Sequence, residues 1–461
     1  MADLETLFPY QEVGATFLSA HPHALLADEM GLGKSAQVVR ACDLIGATAI
    51  LIVCPAAVRI NWAREFGRFS PMDRPINIMT TFSDRPADVG VTIASYDILA
   101  TNEKMRRACR PVKWDVVVMD EAHYCKERAA KRTRALYGHA GKDGIIHSAK
   151  YVWRLTGTPA PNDASELYTH LKSAGIEKRS YWDFVYDFCT GFDSNYGFKI
   201  TGHKNTDRLK GLLAQFMLRR KKDEVMKDLP PIHFAHVTVE RSQVQLDPYF
   251  FEQWREVGAT QFMRDMEKID RATKIALKTV EDGYKVHIDD RIALLAALSK
   301  STATLRRYIG LAKLPRVLEV IEQELIDNPK LKIVLFAIHK DVVECSRVKL
   351  RKYGAVTLFG NTPVEKRQDN IDKFQTNPRC RVFIGNIQAA GTGITLTASS
   401  EVVFIESSWV PSDNAQAAMR CHRIGQTQPV RVRFFSCAGS VDEDVTRTLL
   451  HKTRELSKIF D

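Results

Sequence analysis

The feature that most constrains the fold is a series of short, almost wholly apolar runs separated by helical patterns. In the first half of the chain these runs occur at 23–28, 49–55, 91–95, 115–120 and 151–156. Strands that are apolar on both sides are typical of parallel sheets covered by helices on both faces. The alternation of such runs with helical patterns like KSAQVVRACDLIG therefore predicts a doubly wound α/β lobe.

A second series of the same kind begins near residue 332. Its predicted strands are KIVLFAIH, RVFIGN, EVVFIES and VRVRFFSC. Helical patterns lie around 341–353, 363–375 and 413–422, with a last one at about 442–458. The fold class that follows is α/β, with two parallel-sheet lobes of similar size.

Two segments, 162–227 and 245–310, do not follow this alternation. Both are rich in charged residues and carry helical patterns, so they are either helical insertions or one central helical domain. Pro230 and Pro231 follow the basic stretch RRKK at 219–222 and mark an end of the first lobe.

Composition excludes several other classes of protein. The 461 residues are 45% hydrophobic and 26% charged, which excludes a mainly disordered, collagenous or coiled-coil chain. The nine cysteines include no CxxC pair, so we expect neither a zinc site nor a disulfide framework. We expect no signal peptide and no membrane span, and hence an intracellular protein. The net charge of +11 favours a polyanionic partner, although many basic proteins bind none.

A glycine-rich segment, LLADEMGLGKSAQ, stands between a predicted strand and a predicted helix. This is the context of a phosphate-binding loop, in which Gly31 and Gly33 let the backbone curl around phosphates. Lys34 would place its charge on the β- and γ-phosphates, and the hydroxyl of Ser35 would hold Mg²⁺. The strict pattern requires glycine where Asp28 stands, so a glycine-rich turn that caps an ordinary helix is the alternative.

A pair of carboxylates follows another predicted strand in DVVVMDEAH. Its apolar run delivers Asp120 and Glu121 to the carboxyl end of the strand, where ligands bind in open α/β sheets. Asp120 would join the Mg²⁺ shell, and Glu121 would polarise the attacking water. An isolated Asp-Glu at this place is more often a solvated turn. A phosphate loop and an acidic pair in this order indicate a nucleoside triphosphatase.

The segment RLTGTPAPN ends the next predicted strand with two hydroxyls, Thr156 and Thr158, beside Gly157. By itself the segment is a proline-containing turn. In a sheet that carries the two previous motifs, we expect it to point into the nucleotide crevice.

Two arginines stand in QAAMRCHRIGQTQPV of the second lobe. Arg420 and Arg423 are three residues apart on a predicted helix and would share one face. They form either a solvated basic patch or a pair that reaches across a cleft to stabilise the charge on a γ-phosphoryl group.

Together these motifs resemble the Swi/Snf-type ATPases of helicase superfamily two over nearly the whole sequence. The matching segments are DEMGLGKS, DEAH, LTGTP, FMLRRKKDEVMKDLPP, GNTPVEKRQDNIDKFQ, QAAGTGITLT and RCHRIGQ, of which the last is the most specific. LRRYIGLAK at 305–313 is similar to the annealing-helicase subgroup. The resemblance implies two RecA-like lobes with helical insertions, ATP and Mg²⁺ in the cleft, and duplex DNA across both lobes.

The same resemblance implies the domain limits and further nucleotide contacts. It places the N-terminal lobe at 1–230 with a helical protrusion at about 162–227, a linker with a second protrusion at 231–310, and the C-terminal lobe at 311–461. Gln11 in LFPYQEVGATFL would recognise the adenine. Other nucleotide contacts would come from Asp28, where an Asp-Glu-Met lead replaces the usual first glycine, and from Leu32 and Gly393.

DNA contacts are implied by the resemblance on both lobes. The candidates are Pro55, Arg59, Ser95 and Tyr96 on the first lobe, and His339, Gly391, Thr392 and Trp409 on the second. For Trp409 a packing role is an equal alternative. Contacts to phosphates would make binding independent of sequence and sensitive to salt.

Two segments depart from the pattern of the family. Tyr124, Cys125, Lys126 and Glu127 follow DEAH where Arg-Leu-Lys-Asn is usual, and Val410 stands after Trp409 where asparagine is usual. Both departures put the strength of coupling between ATP and DNA in question.

Three functions remain open at this point. The first is an ATP-driven translocase or remodeller on duplex or forked DNA, a DNA-dependent ATPase acting as a monomer. It would work in the nucleus of a eukaryote, or in the cytoplasm or nucleoid for a bacterial or viral source. The second is a strand-separating helicase on DNA or RNA. The third is a catalytically inactive DNA-binding scaffold.

Overall fold

The computed structural model describes residues 4–81, 83–138, 143–194, 197–240, 299–360, 362–390 and 394–438. The elements up to residue 225 are α1 (Pro9–Ala20), β1 (His23–Leu26), α2 (Lys34–Leu44), β2 (Ala49–Cys54), α3 (Arg59–Phe69), β3 (Ile76–Ile78), β4 (Gly90–Ser95), α4 (Tyr96–Thr101), α5 (Glu103–Cys109), β5 (Trp114–Asp120), α6 (Lys131–Tyr137), β6 (Ala149–Leu155), α7 (Tyr168–Ser173), α8 (Tyr181–Phe188), β7 (Cys189–Ser194), β8 (Gly197–His203), α9 (Thr206–Leu213), β9 (Met217–Leu218) and α10 (Lys222–Val225).

The remaining elements build the second lobe. They are β10 (Ile232–Val239), α11 (Ser299–Asp327), β11 (Ile333–Ala337), α12 (Lys340–Lys349), β12 (Val356–Leu358), α13 (Val364–Thr376), β13 (Val382–Asn386), α14 (Ile387–Ala390), β14 (Glu401–Phe404), α15 (Pro411–Ala418) and β15 (Val430–Cys437). In the part of the chain that the structure describes, no helix is both long enough and apolar enough to span a membrane.

The first lobe is built on a seven-stranded sheet in the order β3-β4-β2-β5-β6-β1-β9. Every neighbouring pair is parallel. Side chains of β2 alternate between two cores, because successive residues of a strand point to opposite faces. Ile50 and Ile52 pack with α1 to α3, whereas Leu51 and Val53 pack with α4 to α6. The sheet is therefore covered on both faces, as the apolar runs predicted.

The second lobe repeats this architecture with a six-stranded sheet in the order β10-β15-β14-β11-β13-β12. Its neighbouring strands are also parallel. One face packs on α11 and α12, and the other packs on α13 and α15. The predicted fold class, two doubly wound α/β lobes, is confirmed.

The segment 162–227 is less helical than expected. Cys189–Ser194 and Gly197–His203 form an antiparallel hairpin, and β9 returns to the main sheet as an edge strand beside β1. Phe198 and Ile200, two residues apart on β8, pack against one core that also contains α7, α8 and α9. Aromatic and β-branched residues at a spacing of two favour a strand, and this spacing is hidden among the surrounding charges.

The segment 231–310 also differs from a plain linker with a helical protrusion. Its first residues form β10, which pairs along its whole length with β15 in the second sheet. Helix α11 then runs across the expected limit at residue 310. Residues 241–298 and the helix expected at about 442–458 lie outside the described residues, so the domain limits stay predictions.

A buried ion pair connects the segment that follows β1 with the segment that follows β9. Asp28 is fully buried just after β1, and its carboxylate accepts from Arg220, which follows β9, at 2.9 Å (Nε to Oδ1) and 2.5 Å (Nη2 to Oδ2). The Gln37 amide on α2 donates to Asp28 at 3.0 Å and accepts from Arg220 at 2.8 Å. Arg220 also donates to the carbonyl of Tyr10 on α1. The network fixes four elements directly beneath the glycine-rich loop.

Removing one partner of this pair should destabilise the first lobe strongly. We expect Arg220→Ala to lower the free energy of unfolding by about 3–5 kcal/mol, because Asp28 would remain as a buried charge without its partner. The matched control is Arg107→Ala, which breaks an exposed pair with Glu103 whose side chains are 73% and 62% accessible. That change should cost about 0.5 kcal/mol or less. Urea unfolding of both variants measures the difference, and equal losses would contradict this account of the pair.

Candidate nucleotide-binding site

The register of the first sheet brings two of the sequence motifs to one edge. Leu26, the last residue of β1, pairs with Leu155 of β6, and Asp120, the last residue of β5, pairs with the same Leu155 from the other side. The glycine-rich loop and the acidic pair therefore leave the sheet at the same level, on either side of one strand. This is the edge at which open parallel sheets bind ligands.

The backbone of the glycine-rich loop needs its glycines. Gly31 and Gly33 have φ angles of 90° and 69°, in the left-handed region that favours glycine. A Cβ atom on Gly33 would lie 2.3 Å from the side-chain nitrogen of Gln11. Gly33 is also the N-cap of α2 and carries no capping side chain. The first N–H groups of the helix are thus free to meet an anion.

The curvature of the loop is held from beneath by three side chains that share one acceptor. The carbonyl of Leu32 accepts from the Gln11 amide at 3.2 Å, the Tyr10 hydroxyl at 3.2 Å and the Gln37 amide at 3.3 Å. Gln11 is thereby bonded to the loop itself, at the end of the cavity that Phe8 lines. Recognition of adenine by Gln11 stays a prediction.

A cavity of about 360 Å³ lies between the two lobes. The first lobe lines it with Gly31, Gly33, Lys34, Ser35, Asp120 and Glu121, and the second lobe lines it with Thr395, Arg420, Arg423 and Ile424. All five residues predicted to be catalytic therefore face one cavity, although they come from opposite lobes.

Asp120 can contribute to a metal site only if a bound nucleotide supplies further ligands to the ion. Its Oδ2 accepts from the Trp62 indole at 2.8 Å, and its Oδ1 accepts from the Glu121 N–H at 3.0 Å. Burial, and then the charge of Glu121, raise the pKa of Asp120 to about 6. In the described ranges no group of three or more His, Cys, Asp or Glu side chains could hold a metal ion. Ser35 and Asp120 fit Mg²⁺, which is usually held by one or two protein groups together with substrate phosphates.

Glu121 is held in a strained conformation with an unused acceptor. Its φ and ψ are both 51°, which is uncommon for a residue with a side chain and recurs at active sites. Its Oε2 is buried and has no hydrogen-bond partner within the described part of the chain. His123 lies 3.4 Å from that oxygen, but burial lowers the pKa of His123 to about 3, so the ring is neutral. A carboxylate placed in this way can accept a proton from water.

His123 links the acidic pair to the LTGTP segment. Its Nδ1 lies 3.0 Å from the hydroxyl of Thr156, which also accepts from the N–H of Thr158 at 3.1 Å. Thr156 is fully buried. The expectation that these hydroxyls point into the nucleotide crevice is wrong for Thr156, because its hydroxyl is taken up by contacts within the lobe.

Three of the cationic side chains that line the cavity, Lys34, Arg420 and Arg423, are deeply buried beside the carboxylates of Asp120 and Glu121. The Lys34 ammonium donates to the carbonyls of Asp28 at 2.8 Å and Glu29 at 3.4 Å, and burial lowers its pKa. Burial, and then the charge of Arg423, lower the pKa of Arg420 to about 9. Burial also lowers the pKa of Arg423. These groups are charged at neutral pH only at a cost, which a polyanion in the cavity would relieve.

The prediction that Arg420 and Arg423 share one face of a helix is wrong. Helix α15 ends at Ala418, and Arg420 and Arg423 belong to the turns that follow. The Arg423 guanidinium donates to the Ile394 carbonyl at 2.9 Å and to the Thr395 hydroxyl at 3.0 Å. The turn is fixed by the buried amide of Gln426, which donates to the carbonyls of Thr397, Ser399 and Cys421. The contacts with residues 394–399 span 27 to 29 positions of the chain, so local spacing could not predict them.

One of the expected nucleotide contacts needs correction. The Asp28 carboxylate is engaged in its ion pair with Arg220, and its carbonyl accepts from Lys34. The Leu32 side chain is fully buried and its carbonyl is already bonded, so a nucleotide contact by the backbone N–H of Leu32 stays a prediction. Gly393 lies outside the described residues. Trp62 and Thr395 were not among the predicted site residues, because their roles depend on contacts with Asp120 and Arg423, which are distant in the sequence.

Three of the four DNA candidates on the first lobe are buried. Pro55 is buried at the end of β2. Ser95 caps α4 by accepting from the Ile98 N–H at 3.2 Å, and the Tyr96 hydroxyl donates to the Asp120 carbonyl at 2.8 Å. The Ser95 and Tyr96 side chains are thus not available to a DNA backbone in this structure, which corrects that expectation.

Arg59 is more accessible than these three residues, but its side chain is engaged. It donates to the carbonyls of Ala56, at 3.1 Å, and Met79. On the second lobe, Nδ1 of His339 lies 2.6 Å from Oε1 of the buried Glu406. Contact of either side chain with DNA stays a prediction.

Trp409 remains on the surface. Its side chain is 36% exposed, and the guanidinium of Arg306 lies 5.2 Å from the ring centroid. Both a DNA contact and a packing role therefore stay open for Trp409. Gly391 and Thr392 lie outside the described residues.

Fold and site together define a helicase-like protein with two parallel-sheet lobes and a cavity between them to which both lobes contribute charged side chains. The chain matches the SNF2-related domain over residues 10–287 and the helicase conserved C-terminal domain over residues 316–425. It belongs to the SNF2-related family of helicase-like ATPases, as its motifs predicted.

Relatives in several organisms extend this assignment. The chain is 30% identical to the SWI/SNF-related matrix-associated actin-dependent regulator of chromatin subfamily A-like protein 1 of Xenopus tropicalis, over 98% of this chain and 45% of that protein. It is 31% identical to the homolog in Caenorhabditis elegans, over 99% of this chain and 62% of that protein. It is 30% identical to the DNA annealing helicase and endonuclease ZRANB3 of Bos taurus, over 95% of this chain and 39% of that protein.

These relatives confirm the predicted similarity to annealing helicases. The chain spans only 39% to 62% of the length of these three relatives. Among solved structures, the chain is similar to the Sulfolobus solfataricus SWI2/SNF2 ATPase core in complex with dsDNA, with 23% identity and a TM-score of 0.43. That match covers 99% of this chain and 97% of the other.

Substitutions of Lys34 and Glu121 should separate nucleotide binding from hydrolysis. We expect Lys34→Ala to abolish hydrolysis and to weaken ATP binding about 10- to 100-fold, because a charge-assisted contact is lost. Glu121→Gln should leave ATP affinity largely unchanged and lower kcat about 10²- to 10⁴-fold, because only proton transfer from water is lost. Titration with a fluorescent ATP analogue and a phosphate-release assay measure the two effects. Hydrolysis by Glu121→Gln at the wild-type rate would contradict the role of Glu121.

Proposed function

We propose that the protein is a DNA-dependent ATPase that translocates on duplex DNA. The observation that carries the ATPase part is the set of cations around one interlobe cavity, opposite a strained carboxylate with an unused buried oxygen. A triphosphate would offset the buried charges of Lys34, Arg420 and Arg423, which line this cavity. A scaffold without chemistry would have no use for the strained conformation of Glu121.

The roles of the first-lobe residues follow from their positions. The N–H groups at the start of α2 and the ammonium of Lys34 bind the phosphates. Glu121 accepts a proton from the water that attacks the γ-phosphorus. Ser35 and Asp120 would hold Mg²⁺, which neutralises charge on the β- and γ-phosphates when bound. The second lobe supplies Arg420 and Arg423, which stabilise charge on the transferred group.

Coupling to DNA follows from the division of the site between lobes. Because the arginines and Glu121 belong to different lobes, hydrolysis requires the lobes to be close together. A DNA duplex that contacts both lobes favours the closed arrangement and so raises the hydrolysis rate. The net charge of +11 supports a polyanionic partner. The relatives that are named for chromatin regulation and DNA annealing support DNA as that partner.

Duplex or forked DNA bound without sequence preference is the expected partner, and the protein is expected to act as a monomer. It would work where that DNA lies, in the nucleus of a eukaryote, or in the cytoplasm or nucleoid for a bacterial or viral source. A strand-separating helicase is the second candidate. Relatives that are named as DNA annealing helicases keep activity on DNA strands in view for this candidate.

The nature of the nucleic acid decides between these functions. We expect the ATPase rate to rise steeply with duplex or forked DNA and hardly at all with RNA. The logarithm of DNA affinity should fall linearly with the logarithm of salt concentration, with a slope of about −0.9 for each phosphate contacted. Steady-state ATPase assays with each nucleic acid, with none, and with single strands provide the measurement. Stimulation by RNA alone would favour the strand-separating alternative.

Arg423 tests the division of the site between lobes. We expect Arg423→Ala to keep near-normal DNA affinity and to lose about 10³- to 10⁵-fold of the DNA-stimulated rate, the range found for arginines supplied to phosphoryl transfer. Arg423→Lys should not restore the rate, because an ammonium lacks the planar fork that grips two oxygens. If Arg423 instead contacted the DNA backbone, saturating DNA would restore the maximal rate of Arg423→Ala. A titration of ATPase rate against DNA concentration distinguishes the two outcomes.

A further inference from the structure

Lys222 is a buried cation that the proposed function leaves without a role. It is the first residue of α10, and only 5% of it is exposed. Its backbone N–H donates to the Glu29 carboxylate at 2.8 Å, so its main chain is fixed to the segment that leads into the glycine-rich loop. A lysine is rarely buried to this extent unless it has a partner.

The partner of Lys222 belongs to the other lobe. Its ammonium donates to the His422 carbonyl at 2.7 Å and lies 3.0 Å from the Met419 sulfur. The His422 ring in turn lies 2.7 Å from the carbonyl of Pro230, between α10 and β10. The turn that bears the two arginines is thus held at His422 from two directions.

The bonded carbonyl has a direct geometric relation to Arg423. The carbonyl of His422 and the nitrogen of Arg423 belong to one peptide unit, which is planar and stiff. A bond to that oxygen therefore orients the backbone from which the Arg423 side chain starts. A Cβ atom on Gly31 would lie 3.3 Å from the Cε of Lys222 and 3.4 Å from the Cγ of Arg423. Both side chains consequently pack against the same glycine of the loop.

We propose that Lys222 is a positioning residue that clamps the His422–Arg423 peptide of the second lobe against the glycine-rich loop of the first. The expected effect of this clamp on hydrolysis rests on the proposed function. The bond between Lys222 and the His422 carbonyl is a feature of the structure and does not depend on that proposal. The clamp fixes the turn that bears the two arginines in its position beside Gly31. Lys222 itself lies outside the set of residues that line the cavity.

The electrostatics of Lys222 connect the clamp to the contents of the cavity. Burial lowers the pKa of Lys222 to about 7; the charge of Glu29 opposes this shift, and those of Arg423, Lys34 and Arg420 add to it. Negative charge placed in the cavity would offset those three cations and favour the ammonium form. A phosphate ligand would therefore strengthen the bond that holds the arginine turn.

Removal of the ammonium at nearly constant side-chain volume tests the clamp. We expect Lys222→Met to lower the kcat of DNA-stimulated hydrolysis about 10- to 100-fold, the effect of losing a hydrogen bond from a charged group. The KM for ATP and the half-saturating DNA concentration should change much less than kcat, because the residues that line the cavity remain and only the weaker coupling through Lys222 is lost. Lys227→Met is the matched control, since it makes the same change at an exposed lysine five residues away. His422→Ala should cost less than Lys222→Met, because it leaves the bonded carbonyl in place.

Hydrogen exchange tests the same bond without any ATPase activity. In the protein without ligands, the amides of residues 419–426 should exchange faster in Lys222→Met than in the wild type, and Lys227→Met should leave them unchanged. Unchanged exchange in that turn overturns the clamp, as does a wild-type kcat in Lys222→Met. A wild type that lacks DNA-stimulated ATPase would overturn the proposed function, and exchange would then still decide on the clamp. If Lys222→Met does not fold, as judged by circular dichroism, Lys222→Gln serves in its place, because its shorter side chain falls short of the carbonyl.

Discussion

The site depends on the position of β6, which pairs in parallel with β1 on one side and with β5 on the other. This pairing brings the ends of two strands that are distant in the sequence to the same level, since Leu26 and Asp120 share Leu155 as a partner. The glycine-rich loop and the acidic pair can then face one cavity without any further adjustment. A shift of one residue in either register would turn alternate side chains to the opposite face and separate the two motifs.

Much of this arrangement could be predicted from the sequence because it is local. Apolar runs marked the main strands, and the spacing within DEMGLGKS and DEAH placed Lys34, Ser35, Asp120 and Glu121 at strand ends. Tertiary contacts determined what could not be predicted. Nothing in the sequence near Asp28 shows that its carboxylate meets Arg220, because that partner lies 192 residues further along the chain.

In the second lobe, too, tertiary contacts limited what the sequence could predict. The sequence predicted a helix through both arginines, but α15 ends at Ala418 and the chain turns under the control of Gln426. The two side chains still face the cavity, for a reason different from the predicted one. Burial likewise decided against the Ser95 and Tyr96 side chains as DNA contacts, and burial at a strand end depends on the helices that pack there.

The passage from α10 to β10 has a consequence for how the site assembles. Only residues 226–231 join the last helix on the first-lobe side to a strand within the second sheet. A fully extended chain spans at most about 3.3–3.6 Å per residue, so this tether reaches about 20 Å. This tether keeps the two lobes joined when they separate, so the effective concentration of the second-lobe arginines at the glycine-rich loop is on the order of millimolar. Reassembly of the site after each opening is thus a unimolecular step whose rate does not depend on protein concentration.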